Sequence, residues 1–125
     1  MWLPRLATED IVKTIKIKTP ADWKSLVNFT GIVEEINGDK CYLVDGDFHR
    51  EDGPARIYKD ENEKIWYLNG KWIWNSNLVI DLTKEILLSK TKHPDYSGIE
   101  VWKILDSSGL REQVIIPGME EYITK

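Results

Sequence analysis

A chain of 125 residues, 42% apolar and 30% charged, is long enough for one domain whose core needs neither metal nor cross-link. Its one cysteine, Cys41, excludes an internal disulfide, no apolar run reaches membrane-spanning length, and Met1-Trp2-Leu3-Pro4-Arg5 lacks the apolar core of a signal peptide, so a cytoplasmic protein with no membrane partner is expected. The net charge is −4 and no basic stripe with interleaved aromatics is present, which argues against direct nucleic-acid binding.

The first element expected is a strand, since Ile11, Ile15 and Ile17 alternate with Val12, Thr14, Lys16 and Lys18. Its lysines suit a sheet edge, where charge discourages pairing with other molecules. Thr19-Pro20 then opens a short helix, with Thr19 as N-cap, Pro20 in the first helical position and Asp22 in the first turn. Trp23, Leu26 and Val27 share one side of that helix at helical spacing and are expected in the core.

From residue 31 the signals are those of hairpins. Residues 32–36 and 39–44 flank Asn37-Gly38, the preferred pair for a two-residue turn, which sets Glu35 opposite Lys40 and Val33 opposite Tyr42. Asp52-Gly53-Pro54 precedes a strand at 55–59, joined to another at 64–68 by Asp60-Glu61-Asn62-Glu63. Asn69-Gly70 closes the next hairpin, with Tyr67 facing Trp72, Ile65 facing Trp74, and Trp66 pairing with Ile73 on the other face. A sheet apolar on both faces is either sandwiched or exposes one face to a partner. Residues 81–89, with Leu82, Ile86 and Leu87, read as a second short helix, and 91–98 as a loop. A final hairpin, 99–105 with 110–116 around Asp106-Ser107-Ser108-Gly109, sets Leu105 against Leu110, Lys103 against Glu112 and Val101 against Val114. Residues 119–123 suit a last helical turn.

Two stretches look alike: Tyr42-Leu43-Val44-Asp45-Gly46-Asp47-Phe48-His49 and Tyr67-Leu68-Asn69-Gly70-Lys71-Trp72-Ile73-Trp74, about 25 residues apart. With His49-Arg50-Glu51-Asp52-Gly53-Pro54-Ala55 between them, the segment 41–74 resembles the MORN-like repeat proteins of bacteria and their phages. The resemblance covers about one and a half repeats. Trp72-Ile73-Trp74 stands where His-Arg would recur, and no second Asp-Gly-Pro-Ala follows. It implies stacked β-hairpins, a bacterial cytoplasmic setting and no particular chemistry.

Chemistry is sparse. Asp45, Asp47, His49 and Glu51 alternate and would share one face of a straight strand, where three carboxylates and an imidazole could hold a divalent metal or move protons. A turn at Asp45-Gly46 would break that face. Cys41 lies within an apolar strand, as a small buried side chain would, and Ser107-Ser108 sits at a hairpin tip. No phosphate loop, paired-cysteine zinc spacing or nucleophile elbow occurs.

The reading is an α+β fold of mostly antiparallel hairpins in a twisted sheet, with two short helices packed against it, in a single domain spanning 1–125. A non-catalytic binding protein without a cofactor is expected. Trp66, Tyr67, Trp72 and Trp74 are its candidate anchors. Between Gly31 and Glu63 there are ten acids against four bases, a local balance of −6. From that stretch Asp45, Asp47, Glu51, Asp60, Glu61 and Glu63 would steer a protein with a basic surface. Since the resemblance points to phage accessory proteins, a concrete form is an inhibitor of a host defence nuclease, of the anti-CRISPR or anti-restriction kind. Two alternatives stand beside it: a metal-dependent hydrolase using Asp45, Asp47 and His49, and a structural or virion-associated module that self-assembles.

Overall fold

The computed structural model describes residues 13–125, so Ile11 and Val12 of the first expected strand lie outside the described residues. The chain is mostly β. Strands β1 (Thr14–Ile17), β2 (Gly31–Glu35), β3 (Lys40–Val44), β4 (Asp47–Phe48), β5 (Arg56–Tyr58), β6 (Glu63–Leu68) and β7 (Lys71–Asn75) form one sheet. Then come β8 (Ile80–Asp81), β9 (Ile86–Lys92), β10 (Glu100–Asp106), β11 (Gly109–Ile115) and β12 (Ile123–Thr124). The large sheet runs β1-β2-β3-β5-β6-β7, with β4 also on β3. Its first pair is parallel and the rest are antiparallel. A second sheet runs β11-β10-β9, and β12 lies parallel to β8. No helix among the described residues is long and apolar enough to cross a membrane.

Strand β4, the loop 49–55 and β5 together make one interrupted strand. Phe48 lies opposite Leu43 and Arg56 opposite Cys41, so eight residue steps on one side match two on the other. The surplus leaves the sheet as the loop carrying the His-Arg-Glu-Asp-Gly-Pro-Ala string.

The helical segments are both 3-10 turns, at Pro20–Leu26 and Met119–Tyr122. The first begins as its sequence requires: the Asp22 carboxylate accepts from the amides of Lys18 (2.8 Å) and Thr19 (3.0 Å). Leu26 is buried and Trp23 half-buried, but Val27, expected in the core, is exposed because the tight turn ends there.

Three further expectations are corrected. The hairpin at Asn37-Gly38 has one more loop residue than expected: Gly38 alone has positive φ (93°), its amide donates to Glu35 O, and the amide of Glu35 donates to Asp39 O. Val33 therefore faces Cys41 and Glu34 faces Lys40, a three-residue loop with a glycine bulge. Residues 81–89 are not a helix. One turn forms, with the amide of Glu85 donating to Asp81 O, and then Ile86 onward pairs with β10. The short apolar run Ile86-Leu87-Leu88 fits either state, and the neighbouring strand decides it. In the β6–β7 hairpin Tyr67 does face Trp72, but a bulge follows, so Trp66 faces Trp74 and Ile65 faces Asn75.

The last hairpin has the expected register throughout, and Asp106 also pairs with Gly109, which leaves Ser107-Ser108 as the loop. Two apolar cores result. One joins Trp66, Leu68 and Trp74 of the large sheet to Trp102, Ile104 and Ile115 of the small one, sealed by Ile80, Ile99, Ile116 and Met119. The other packs Leu26 with Ile17, Val33, Cys41 and Leu43.

Candidate partner-binding surface

The bulge divides the aromatic residues of β6 and β7 into two sets. Trp66 (1% exposed) and Trp74 (8%) enter the larger core, so neither is available as an anchor. Trp72 stays 50% exposed opposite Tyr67. The Trp72 ring lies near that of Trp74, their centroids 6.4 Å apart.

Strand alternation places Tyr67 on the face of Ile65, Arg56 and Cys41, which lie opposite one another across β6, β5 and β3. Leu43 and hence Phe48 share that face. Over β1–β3 it is covered by the first 3-10 turn; over β5–β7, among the described residues, no helical turn joins it in a core cluster, and Arg56, Tyr58 and Tyr67 stay half-buried. What remains open is a connected set of half-buried rings. Phe48 and Tyr67 are 5.1 Å apart, and the Arg56 guanidinium lies 4.6 Å from the Phe48 ring and 4.8 Å from that of Tyr58. Partial burial pushes the Tyr58 hydroxyl pKa up, opposed by Arg56. Phe48, Arg56 and Tyr58 were missed from the sequence because their convergence depends on the interrupted strand. The only local signal was Arg56 and Tyr58 alternating on one strand face.

The acids do not form one edge. Asp45 and Asp47 flank the β3–β4 turn, and the Asp47 carboxylate stands beside Gly70, 3.5 Å from where a Cβ would lie. Asp60 and Glu61 are exposed at the β5–β6 turn, at the opposite end of β6 and about 20 Å away at strand rise. Glu63 belongs to β6 and accepts from the side-chain amides of Asn75 and Asn77, both at 2.8 Å. Glu51 pairs with His49.

The repeat-like string has a structural job. His49 is buried; its Nδ1 accepts from the amide of Asn69 at 2.8 Å, so its proton sits on Nε2 and is donated to Glu51 Oε2 at 2.9 Å. The imidazole thus ties the loop to the Asn69-Gly70 turn, both of whose residues have positive φ. Arg50 lies 4.0 Å from the Tyr42 ring and donates to Asp52 Oδ1 (2.8 Å) and to Pro54 O (3.2 Å). Gly53 is needed beneath it, since a Cβ there would come within 2.8 Å of the guanidinium carbon.

Asp45, Asp47 and His49 do not converge on one point, as the metal-dependent alternative would need. Asp45-Gly46 is a positive-φ turn, Asp45 and Asp47 point to solvent, and His49 has both nitrogens engaged inside. Among the described residues no group of three His, Cys, Asp or Glu side chains is placed to hold a metal ion. Cys41 is buried, and burial pushes its thiol pKa up to about 12, partly opposed by Arg56.

Comparison with family models, with curated proteins and with solved structures gives no match for this chain.

Proposed function

We propose that the protein is a non-catalytic binding module that holds another protein on the open face of β5–β7. The observation that carries this reading is Trp72, half exposed and paired across the strands with Tyr67, whose ring meets Phe48 and, beyond it, Arg56 and Tyr58. Tryptophan, tyrosine and arginine are the residues that most often dominate binding energy at interfaces. Acidic turns lie at both ends of the patch, Asp45 and Asp47 at one and Asp60 and Glu61 at the other. A partner basic at two places about 20 Å apart fits that distribution. In its concrete form the partner is a defence nuclease, whose nucleic-acid channel supplies such a surface. The resemblance of residues 41–74 to phage and bacterial repeat proteins supports that choice.

The test is a pull-down from bacterial lysate with the intact chain beside three folded variants: Trp72→Ala, the pair Asp45→Lys and Asp47→Lys, and the pair Asp60→Lys and Glu61→Lys. The same captured protein should be lost with Trp72→Ala and weakened by either pair, and the wild-type chain should inhibit its nuclease activity. Equal capture by all four forms would overturn the surface. Capture sensitive to Trp72 but indifferent to both charge reversals would overturn the basic partner.

A further inference from the structure

We propose that the outer face of β9–β11 is a self-association surface, on which a second copy of this chain packs about a two-fold axis parallel to the strands and midway between β10 and β11. The opposite face of this sheet is committed to the larger core through Trp102, Ile104 and Ile115. The outer face carries an apolar row across all three strands: Ile86 lies opposite Leu105 and Leu105 opposite Leu110. These side chains are 57%, 39% and 62% exposed, with Leu88 exposed beside them at the β9 bulge. Aliphatic side chains grouped in this way mark an interaction surface more often than a solvated one.

The occupant follows from the order of the cross-strand pairs. On this face β10 and β11 present Leu105 with Leu110 and Lys103 with Glu112; the next pair, Val101 with Val114, is half-buried, Val114 packing against the larger core. A two-fold axis between the strands carries each residue of β10 over its β11 counterpart in the other copy. Leu105 then meets the partner's Leu110, and Lys103 meets the partner's Glu112. No like charges meet across β10 and β11, and Leu105 and Leu110 cover one another in both directions, so these two strands are complementary to themselves, with Ile86 and Leu88 of β9 at the margin of the contact. Edge-to-edge pairing through β9 is disfavoured by Lys90 and Lys92, both exposed on that strand. Face-to-face packing of aligned sheets avoids the lysines.

The size of the face sets the strength. The two strands that overlap, seven residues each, span about 23 Å by about 10 Å at standard strand rise and spacing. That footprint is well under the roughly 800 Å² per partner of a standard stable complex. The dimer is therefore weak and concentration-dependent. It does not rest on the partner-binding surface of the other sheet.

Sedimentation velocity of the intact chain, from about 10 µM to about 1 mM, reads the association directly. Wild type should shift from one chain to two across this range, and less so in high salt. Lys103→Glu and Glu112→Lys, each on an exposed side chain, should each weaken association at least about tenfold, and the double swap should restore it. Leu110→Ser should weaken it without altering its salt dependence. Circular dichroism and urea midpoints confirm that each variant is folded. A single-chain mass at every concentration would overturn the proposal. So would association that ignores both single swaps, or that is lost in Trp72→Ala, since that places the contact on the other sheet.

Discussion

Among the described residues three tryptophans are buried, and their indole N–H groups meet different fates. Trp66 Nε1 donates to Pro117 O at 3.1 Å and Trp102 Nε1 to Glu100 Oε1 at 3.1 Å, whereas Trp74 Nε1 is buried with no acceptor. A buried donor without a partner costs about 1–3 kcal/mol. Trp66→Phe and Trp74→Phe remove the same volume from the same core, but only the first breaks a hydrogen bond, and the second relieves an unsatisfied group. In urea unfolding Trp66→Phe should therefore be the more destabilising by about 1–3 kcal/mol. Equal losses would show that ring volume alone decides. Cys41 gives a second residue-scale expectation. Its thiol keeps its proton in the folded chain up to about pH 12, against an ordinary value of 9.0. Between those values the unfolded chain has lost the proton and the folded chain has not. Stability should fall with rising pH by about 1.4 kcal/mol per unit on this account. Below pH 9.0 the group contributes no slope. Because tyrosines and lysines titrate in the same range, the measurement is the difference between wild type and Cys41→Ala in urea midpoints from pH 8 to 11, roughly the window where thiolates form. A Cys41→Ala variant with the wild-type slope would refute it.

At the scale of elements, the interrupted strand is the feature to test, because one imidazole joins its loop to the next hairpin. His49→Ala removes the acceptor at Nδ1 for the Asn69 amide and the Nε2 donor to Glu51 Oε2. It should cost about 2–4 kcal/mol in urea unfolding. His49→Asn places an acceptor near the position of Nδ1 and should recover most of the loss, whereas His49→Leu, which fills the volume, should not. Recovery by Leu would mean that packing, not the hydrogen bond, matters. The same contrast explains what the sequence could reveal. Asn69-Gly70 and the last hairpin were legible because neighbours in sequence settle them: a positive-φ pair in one case, three complementary cross-strand pairs in the other. Asn37-Gly38 looked equally local, yet its register differs by one residue. The following Asp39 is buried, accepts from the amide of Lys59 at 2.9 Å and is tied to Asn37 by two side-chain hydrogen bonds. That anchor lies 20 residues away. Residues 86–92 became a strand for the same reason, their partner β10 lying beyond the following loop. The patch of Phe48, Arg56 and Tyr58 needed the looped-out residues 49–55 to be placed first, and no periodicity encodes such an excursion.

The whole molecule has two cores of unequal size joined by a narrow seam. The larger unites three tryptophans with seven aliphatic or thioether side chains; the smaller holds five residues, none aromatic, with Trp23, Phe29 and Phe48 at its margin. Across the seam, β3 meets β5 at two register positions only, Lys40 with Ile57 and Cys41 with Arg56. The amides of Tyr42, Asn69, Lys59, Gly70 and Arg50 add hydrogen bonds across it, to Ala55 O, His49 Nδ1, Asp39 Oδ1, Phe48 O and Tyr67 O. Burial of apolar area is the main favourable term, so the part built on the smaller core opens at lower free energy than the part built on the larger. Native-state hydrogen exchange at rising urea should show Val33 and Leu43 of the smaller unit exchanging through a partial opening, with a weak urea dependence. Trp66, Trp102 and Ile104 should exchange only with global unfolding, which exposes more surface and so has the steeper dependence. His49→Ala, by removing a tie across the seam, should lower the opening free energy of Val33 and Leu43. In that variant, the gap between their protection and that of Trp102 should widen. A single exchange isotherm for all five amides, in wild type and variant alike, would show that the seam transmits the full stability of one core to the other. The partial-opening account would then fail, and the two cores would be one cooperative unit despite the short β3–β5 pairing.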